Sequence, residues 1–483
     1  MSRPITSATL SVLLVAGALI AFATGAQSPL GAQSFDVIIA SGRVIDPESG
    51  LDAVRSLGIR AGKIVTISAD RLAGRTTIDA TGLVVSPGFI DLHAHGQTPE
   101  TYRFQALDGV TTSLELEVGT ADVDRWYGER KDGRLINYGV SVGHIPVRMA
   151  VLHDPGAWLP SGDAAHRAAT PAELTAIVAR LETGLKKGAI SVGAGLPYTE
   201  AATRHELQEV FRVAGRRHAP VNVHIRPGVA GLDEALKLAA QAKAPLHVVH
   251  LNSSGTTATP EMLAMIEAAR RRGRDVTTEA YPYEAGMTEI KSAILDEYET
   301  ASEDRLSAEL EWPRTGEHLT RETFKKYRAI GGPVIRRTNT EDMVALAIRS
   351  PLTMIASDAY WENGTGHPRT TGTFSRVLGR YARDAKAITL MEAIKKMTLM
   401  PAVRLQARVP SMSAKGRVRI GADADLTIFD PNRIIDRSTY REPALPAAGI
   451  QYVIVNGVTV VSNAQVVDSV KPGKPVRAPI ALR

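Results

Sequence analysis

Val85 to Gly96 read VSPGFIDLHAHG. The stretch opens on a Pro-Gly turn, passes through an apolar run at Phe89 and Ile90, and closes with His93 and His95 one residue apart. Alternate side chains of an extended chain share a face, so the two imidazoles point the same way and converge, as in a metal chelate. On a wet surface strand such a pair would carry no meaning. Here the residues before it show no polar alternation, the pattern of a strand covered on both faces, as in the wall of a parallel barrel. A metal site then requires more ligands at the ends of later strands.

Seven further β-rich runs follow, separated by helical patterns: 111–119 (TTSLELEVG), 141–151 (SVGHIPVRMAV), 189–196 (AISVGAGL), 220–226 (PVNVHIR), 245–252 (PLHVVHLN), 275–283 (DVTTEAYPY) and 352–359 (LTMIASDA). With the first they make eight, the number of a (β/α)8 TIM barrel, whose active sites gather at the C-terminal ends of the strands. Glu117, His224, His250 and Asp358 stand near those ends. The intervening helices carry start signals. Thr170-Pro171-Ala172-Glu173 combines an N-cap, a Pro at the first position and a capping Glu, and Thr203–His218 and Asp233–Lys243 follow suit.

Several motifs carry a family resemblance: GFIDLHAH, GVTTSLELEVG, VHIRPG, VVHLNSSG, AYPYEAG, ASDAYWENGTGHPRTTGTFSRVLGRY and GRVRIGADADLTIFDP. They are spread over most of the chain. In them the sequence resembles the amidohydrolase superfamily and, within it, the D-aminoacylase (N-acyl-D-amino-acid deacylase) family. The resemblance implies the same barrel, with a small β-sandwich domain built from both chain ends.

The sequence itself points to that domain. Short alternating strands fill 34–85 and return in 405–470, at 424–431 and 450–461, and neither half has enough strands to close a core alone. The barrel is assigned to 86–404, with an insertion at about 284–350. Between Tyr283 and Leu352 the connection is too long for a turn, so it is a lid or an unrelated insertion, and it starts at the barrel mouth. The Pro-rich tail, 471–483, is expected to be loose. Residues 1–26 combine Arg3, an apolar run from Leu10 to Ala23 and small residues, the plan of a signal peptide; the alternative is an uncleaved anchor. A periplasmic or secreted protein is expected, without stable membrane insertion once the leader is removed. The chain has no cysteine, so disulfides are excluded. A net charge of +6 spread over 483 residues speaks against nucleic-acid binding, and the cluster Arg270–Arg274 reads as a solvated helix end. A homo-oligomer is compatible with the sequence.

Strand parity sorts the candidates. His224 follows Asn222 on the inward face. His247 and His250 have opposite parity, so the ligand is assigned to His250, nearer the mouth, and His247 to an outer, packed position. Asp358 ends an apolar strand, where a carboxylate is costly without a cation or hydrogen bonds. Relatives place a cysteine at the end of strand two and other superfamily members a carboxylated lysine on strand four. This chain offers neither, since Lys186 and Lys187 precede strand four. Glu115 and Glu117 share a face on strand two, and Glu117, nearer the mouth, is taken as the bridging ligand of one or two Zn2+ ions.

From this set the resemblance implies a zinc-dependent hydrolase of a small-molecule linear amide, an N-acyl-D-amino acid or a D-residue dipeptide. Asp358 would move the proton and Tyr281, the first tyrosine of AYPY, would stabilise the oxyanion. Arg226, two residues past His224, would clamp a substrate carboxylate. His367 and Arg369 match the family's HPR stretch and are expected near the site. Asn252 stands where relatives have lysine and Met287 where they have serine, so specificity does not transfer. A cyclic amidase of the hydantoinase or dihydroorotase kind and a non-catalytic metal-holding protein remain as alternatives.

Overall fold

Parallel strands that are apolar on both faces need helices outside and a filled interior, and a closed ring supplies both. The computed structural model describes residues 34–480. In it Phe89–Asp91, Val110–Thr120, Asn137–Gly143, Val192–Gly195, Val221–His224, Leu246–Val248, Val276–Ala280 and Thr353–Ile355 pair side by side in chain order. First and last meet at the mouth through a bridge between Ala94 and Ala359, where the His95 N–H donates to the Ala359 carbonyl at 2.7 Å. Asp91 seals the seam below, its Oδ1 accepting from Ser357 N–H at 3.0 Å and His93 N–H at 3.1 Å. This is the expected (β/α)8 barrel.

One strand is displaced from its expected place. Strand three is Asn137–Gly143, and His144–Leu152 is a helix rather than its continuation. Most of the run is apolar and its polar residues His144 and Arg148 are buried on Glu206, so the pattern reads as a continuous buried strand; Pro146 sits in the first helical turn, where a missing N–H costs nothing. The crossover helices behave as their caps foretold. Thr170 and Glu173 form a reciprocal capping box at the start of Pro171–Lys186, and Thr203 caps Arg204–Arg216. The next helix, Gly228–Ala242, starts ahead of Asp233. Ile177, Leu181, Val210 and Phe211 on these helices share one core with Val192, Val221 and Val223 of the strands.

The two chain ends make a single nine-stranded sheet. Leu426–Phe429 pairs antiparallel with Val84–Pro87, which lies beside Phe35–Asp46, so the halves are hydrogen-bonded together at the centre. Alternation then serves two cores. Val44, Val85, Ile428 and Ile454 fill the core of the sheet domain, while Ile45, Val84, Phe429 and Val453 turn to the barrel core. Each buried Val or Ile contributes roughly 1.5–3 kcal/mol, so the residues on the barrel side tie the sheet to the barrel.

The insertion has its own core. Ala285–Glu289, Pro333–Arg337, Leu310–Trp312 and Glu317–His318 form a four-stranded antiparallel sheet over Leu295, Tyr298, Leu306 and Phe324. Helix Glu341–Arg349 then leads back to the last barrel strand. The tail differs from expectation. Gly473 and Pro475 bridge to Arg134 and Tyr138, and Val476 and Ala478 are buried with Leu114, Ile190 and Met354 inside the barrel wall. Proline removes donors, but Val476 keeps its N–H, which donates to Tyr138 O at 2.7 Å. The expected leader lies outside the described residues. Among the described residues no helix is long and apolar enough to cross a membrane.

Candidate metal centre

His93 and His95 converge as alternation requires: their Nε2 atoms are 3.1 Å apart. Donors about 2.0–2.1 Å from a shared tetrahedral ion stand roughly 3.3 Å from one another, so this is the spacing of a chelate. Glu117 and Asp358 complete the group. Glu117 Oε2 lies 2.6 Å from His93 Nε2 and 3.5 Å from His95 Nε2; Asp358 Oδ1 lies 3.4 and 3.2 Å from the same atoms. The other oxygen of Glu117, Oε1, is 2.9 Å from His224 Nδ1, and His250 Nε2 is 3.8 Å from Oε2. Glu117 thus belongs to two donor sets, His93–His95–Glu117–Asp358 and Glu117–His224–His250.

Two of these candidate donors are aimed by unusual backbone. Strand six ends at Val248 and strand eight at Ile355, so strand parity no longer governs His250 or Asp358. Their φ angles, 29° and 51°, lie in the left-handed region, at a cost of about 1–3 kcal/mol each. The same break corrects the reading of His247. It does not face outward: its Nε2 lies 2.9 Å from Glu279 Oε2, and Glu279 Oε1 lies 2.6 Å from His93 Nδ1. Both histidines of LHVVH are therefore inside, one on the strand and one past its end.

Each imidazole of the chelate is gripped at its far nitrogen. Glu279 holds His93, and Glu115, whose Oε1 accepts the Val118 and Gly119 N–H groups, holds His95 Nδ1 at 2.8 Å. Such carboxylate partners fix the tautomer and raise ligand basicity. Burial favours a neutral His93, yet the charges of Asp358 and Glu279 and bonds to Glu117 and Glu279 push its pKa up to about 10. A field that holds a proton so firmly will hold a cation. His224, in contrast, is pushed down to about 4 by burial and by His250, which keeps it the neutral donor that a metal needs. Burial opposes the charge of Asp358, but Arg369 Nη1 at 2.9 Å from Oδ2 and the nearby imidazoles hold its carboxyl well below the usual range. The donor set fits a borderline divalent ion such as zinc.

The comparison of the whole chain with known proteins now bears on this centre. The amidohydrolase family model matches residues 76–137 and 148–461. The chain belongs to the amidohydrolase family. D-aminoacylase of Alcaligenes xylosoxydans xylosoxydans is 30% identical over 484 residues, covering 90% of this chain and 96% of that one. N-acyl-D-glutamate deacylase of the same organism is 29% identical over 501 residues, covering 92% and 97%. The solved structure of N-acyl-D-glutamate deacylase from Bordetella bronchiseptica, complexed with zinc and a phosphonate inhibitor, has a TM-score of 0.79 at 27% identity, covering 92% of this chain and 100% of that one. As a D-aminoacylase-like amidohydrolase, the protein is a metal-dependent hydrolase of carbon–nitrogen bonds other than peptide bonds.

Above the centre of this amidohydrolase lies a cavity with about 60 Å³ of free room, enough for a few waters. Its floor includes Glu117, His250 and Asp358; Trp158, Tyr198 and Tyr281 stand at its sides, and the insertion covers it with Gly286, Thr288, Arg336 and Thr338. Tyr281 lines the cavity as expected, and burial pushes its hydroxyl up to about 12, so it stays a donor. Arg226 does not line it. Its Nη1 donates to Glu234 Oε2 at 2.6 Å on the rim, because Glu234 on the following helix is a nearer anion than any in the cavity. Asn252 is also set back, buried and donating to the Tyr281 carbonyl at 3.2 Å, while its neighbours Ser253 and Ser254 face the cavity. His367 is buried between Tyr283 and Tyr440 and accepts the Arg369 N–H at 3.0 Å, so it fixes the loop and Arg369 fixes Asp358.

Sequence reasoning missed Glu279. It alternates with Thr277 and Tyr281 and is an acid within a buried barrel strand, a signal akin to the one that singled out Asp358. Trp158, whose ring stands 5.1 Å from that of His95, and Arg336 gave no sequence signal, since both come from loops and insertions.

Proposed function

We propose that the protein is a secreted, zinc-dependent deacylase that hydrolyses the linear amide of an N-acyl-D-amino acid or a D-residue dipeptide. The observation that carries the reading is Glu117, which addresses His93 and His95 with one oxygen and His224 with the other. His93, His95, Glu117 and Asp358 would hold one ion, and Glu117, His224 and His250 a second. The ion, when bound, brings the pKa of a water from about 15.7 towards 7 and polarises the amide carbonyl. Asp358, kept ionised by Arg369, takes the proton of the attacking water and passes it to the leaving nitrogen. The Tyr281 hydroxyl donates to the carbonyl oxygen as charge gathers on it. Preference for D-amino acids is supported by the names of the relatives, and secretion by the leader-like residues 1–26.

Strand four, Val192–Gly195, carries no lysine to serve as a ligand of the cyclic-amidase kind. A Cβ at Gly193 would stand 2.1 Å from the Glu117 carbonyl, so this strand position admits no side chain at all. The test is a panel of N-acetyl-D- and L-amino acids, a D-residue dipeptide and a hydantoin, assayed with zinc-loaded and chelator-stripped protein. Zinc-dependent release of a D-amino acid is expected; hydantoin opening alone would overturn the reading.

A further inference from the structure

The mechanism above makes no use of His247 or of Thr277 beside it. His247 and Glu279 are fully buried inside the barrel, a space that barrels of this kind fill mostly with branched apolar side chains. Buried charged networks rarely stabilise a fold more than apolar residues of the same volume. Packing alone is therefore a poor reason for this pair.

Sheet register brings three polar side chains together. His247 on strand six pairs with Thr277 on strand seven, and Glu279, two residues further on, shares the face of Thr277. One imidazole spans both: its Nδ1 lies 2.8 Å from Thr277 Oγ1 and its Nε2 2.9 Å from Glu279 Oε2. The other oxygen of Glu279 lies 2.6 Å from His93 Nδ1. A carboxylate accepts hydrogen bonds and donates none, so His247 Nε2 and His93 Nδ1 both carry their protons towards Glu279. Burial pushes the pKa of His247 down, which leaves it neutral with that single N–H. Its Nδ1 must accept, and the Thr277 hydroxyl donates to it. The protons of the chain are thereby fixed, and the lone pair of His93 Nε2 faces His95, Glu117 and Asp358.

We propose that His247 is a positioning residue of the metal centre: anchored by Thr277, it holds Glu279 in the orientation that keeps His93 a donor through Nε2. Among the described residues it bonds to no proposed ligand, and it acts through Glu279. Without its N–H, Glu279 Oε2 is buried with no donor and the carboxylate is released to turn away from His93. The assignment rests on the donor sets of the metal centre and not on the deacylase reading.

Zinc affinity, measured by chelator competition on the full-length protein, tests it together with the melting temperature of each metal-free form. His247→Leu should weaken zinc binding about 10- to 100-fold, as loss of an outer partner of a metal-binding histidine does. His247→Gln should recover most of that loss, because its amide donates to Glu279 and accepts from Thr277. Thr277→Val should lose less than His247→Leu. On a Glu279→Gln background His247→Leu should add little, since the two side chains act in series. In metal-free protein carrying isotopically labelled histidine, the ring-nitrogen resonances should show His93 protonated at Nδ1, and a mixture of tautomers in His247→Leu. Four results overturn the assignment: unchanged zinc affinity in His247→Leu, a loss that His247→Gln does not recover, the same loss with and without Glu279, or a loss that merely follows the melting temperature. If His247→Leu does not fold, Thr277→Val decides, and wild-type affinity with a wild-type tautomer overturns the assignment. Both readouts need no substrate, so a failure of the deacylase reading leaves them standing.

Discussion

At the floor of the cavity the two chelating imidazoles are each gripped twice, once towards the shared centre and once from behind by Glu279 or Glu115. Along the wall contributed by the insertion, Arg336 is held by a partly exposed ion pair on a sheet with its own small core. The floor is made of strand ends locked into the barrel, the wall of a long excursion from one of them. Rigid elements locate reacting groups to within a fraction of an ångström, whereas surface connections tolerate change. The difference teaches that chemistry and selectivity are carried by separate parts of this chain and should fail separately.

Breaking the floor gives the largest effects. Asp358→Asn should retain metal and lower kcat about 10²- to 10⁴-fold, as removal of a proton-transfer group does; kcat and zinc content measured on the same preparation check this, and near-normal turnover would take Asp358 out of the mechanism. Glu279→Gln should leave every proposed ligand in place and still weaken zinc binding about 10- to 100-fold in a chelator competition, with little change in KM. The wall responds more mildly. Ile294 lines the cavity, and Ile294→Ala should shift KM by about 10-fold for substrates with large side chains and leave zinc affinity alone; a loss of metal would mean that wall and floor are coupled.

The smallest effect concerns the tie between the two regions. His166, at the end of the short helix Asp163–His166, lies 2.8 Å from Asp296 of the insertion, and that hydrogen bond raises its pKa. A histidine whose folded pKa is raised adds stability that is complete below its unfolded value of about 6.5 and lost as pH climbs through the folded one. Protection of the amides in 293–299, taken relative to the intrinsic exchange rate at each pH, should therefore fall from pH 6 to pH 8, and His166→Asn should remove that fall while leaving activity nearly intact.

What could be read from the sequence follows the same division. The barrel, the pairing of the chain ends and the chelate at His93 and His95 were legible because alternation along strands is a local rule, and strand ends are where this fold gathers polar residues. Glu117 was legible for the same reason. The rule failed where strands stop. His247 was turned outward by a parity argument that assumed regular strand as far as His250, whereas the backbone there enters the left-handed region. Arg226 was read by parity into the cavity, but parity cannot see Glu234 nearly two helical turns into the next element. Ser141 to Val151 reads as strand three because most of the run is apolar, although His144 and Arg148 stand four apart, as on one face of the helix the structure forms there. Arg336 could not be found at all, since its place depends on a register with Gly286 set by long-range pairing.

The most direct test of the centre is anomalous diffraction at the zinc edge from crystals of the zinc-loaded protein. The account predicts a peak bonded to His93, His95 and Asp358 with a Glu117 oxygen in contact, and a second peak, if one forms, on the far side of Glu117 beside His224 and His250. A zinc peak elsewhere, or one at this place that leaves Glu117 unbound, would contradict it.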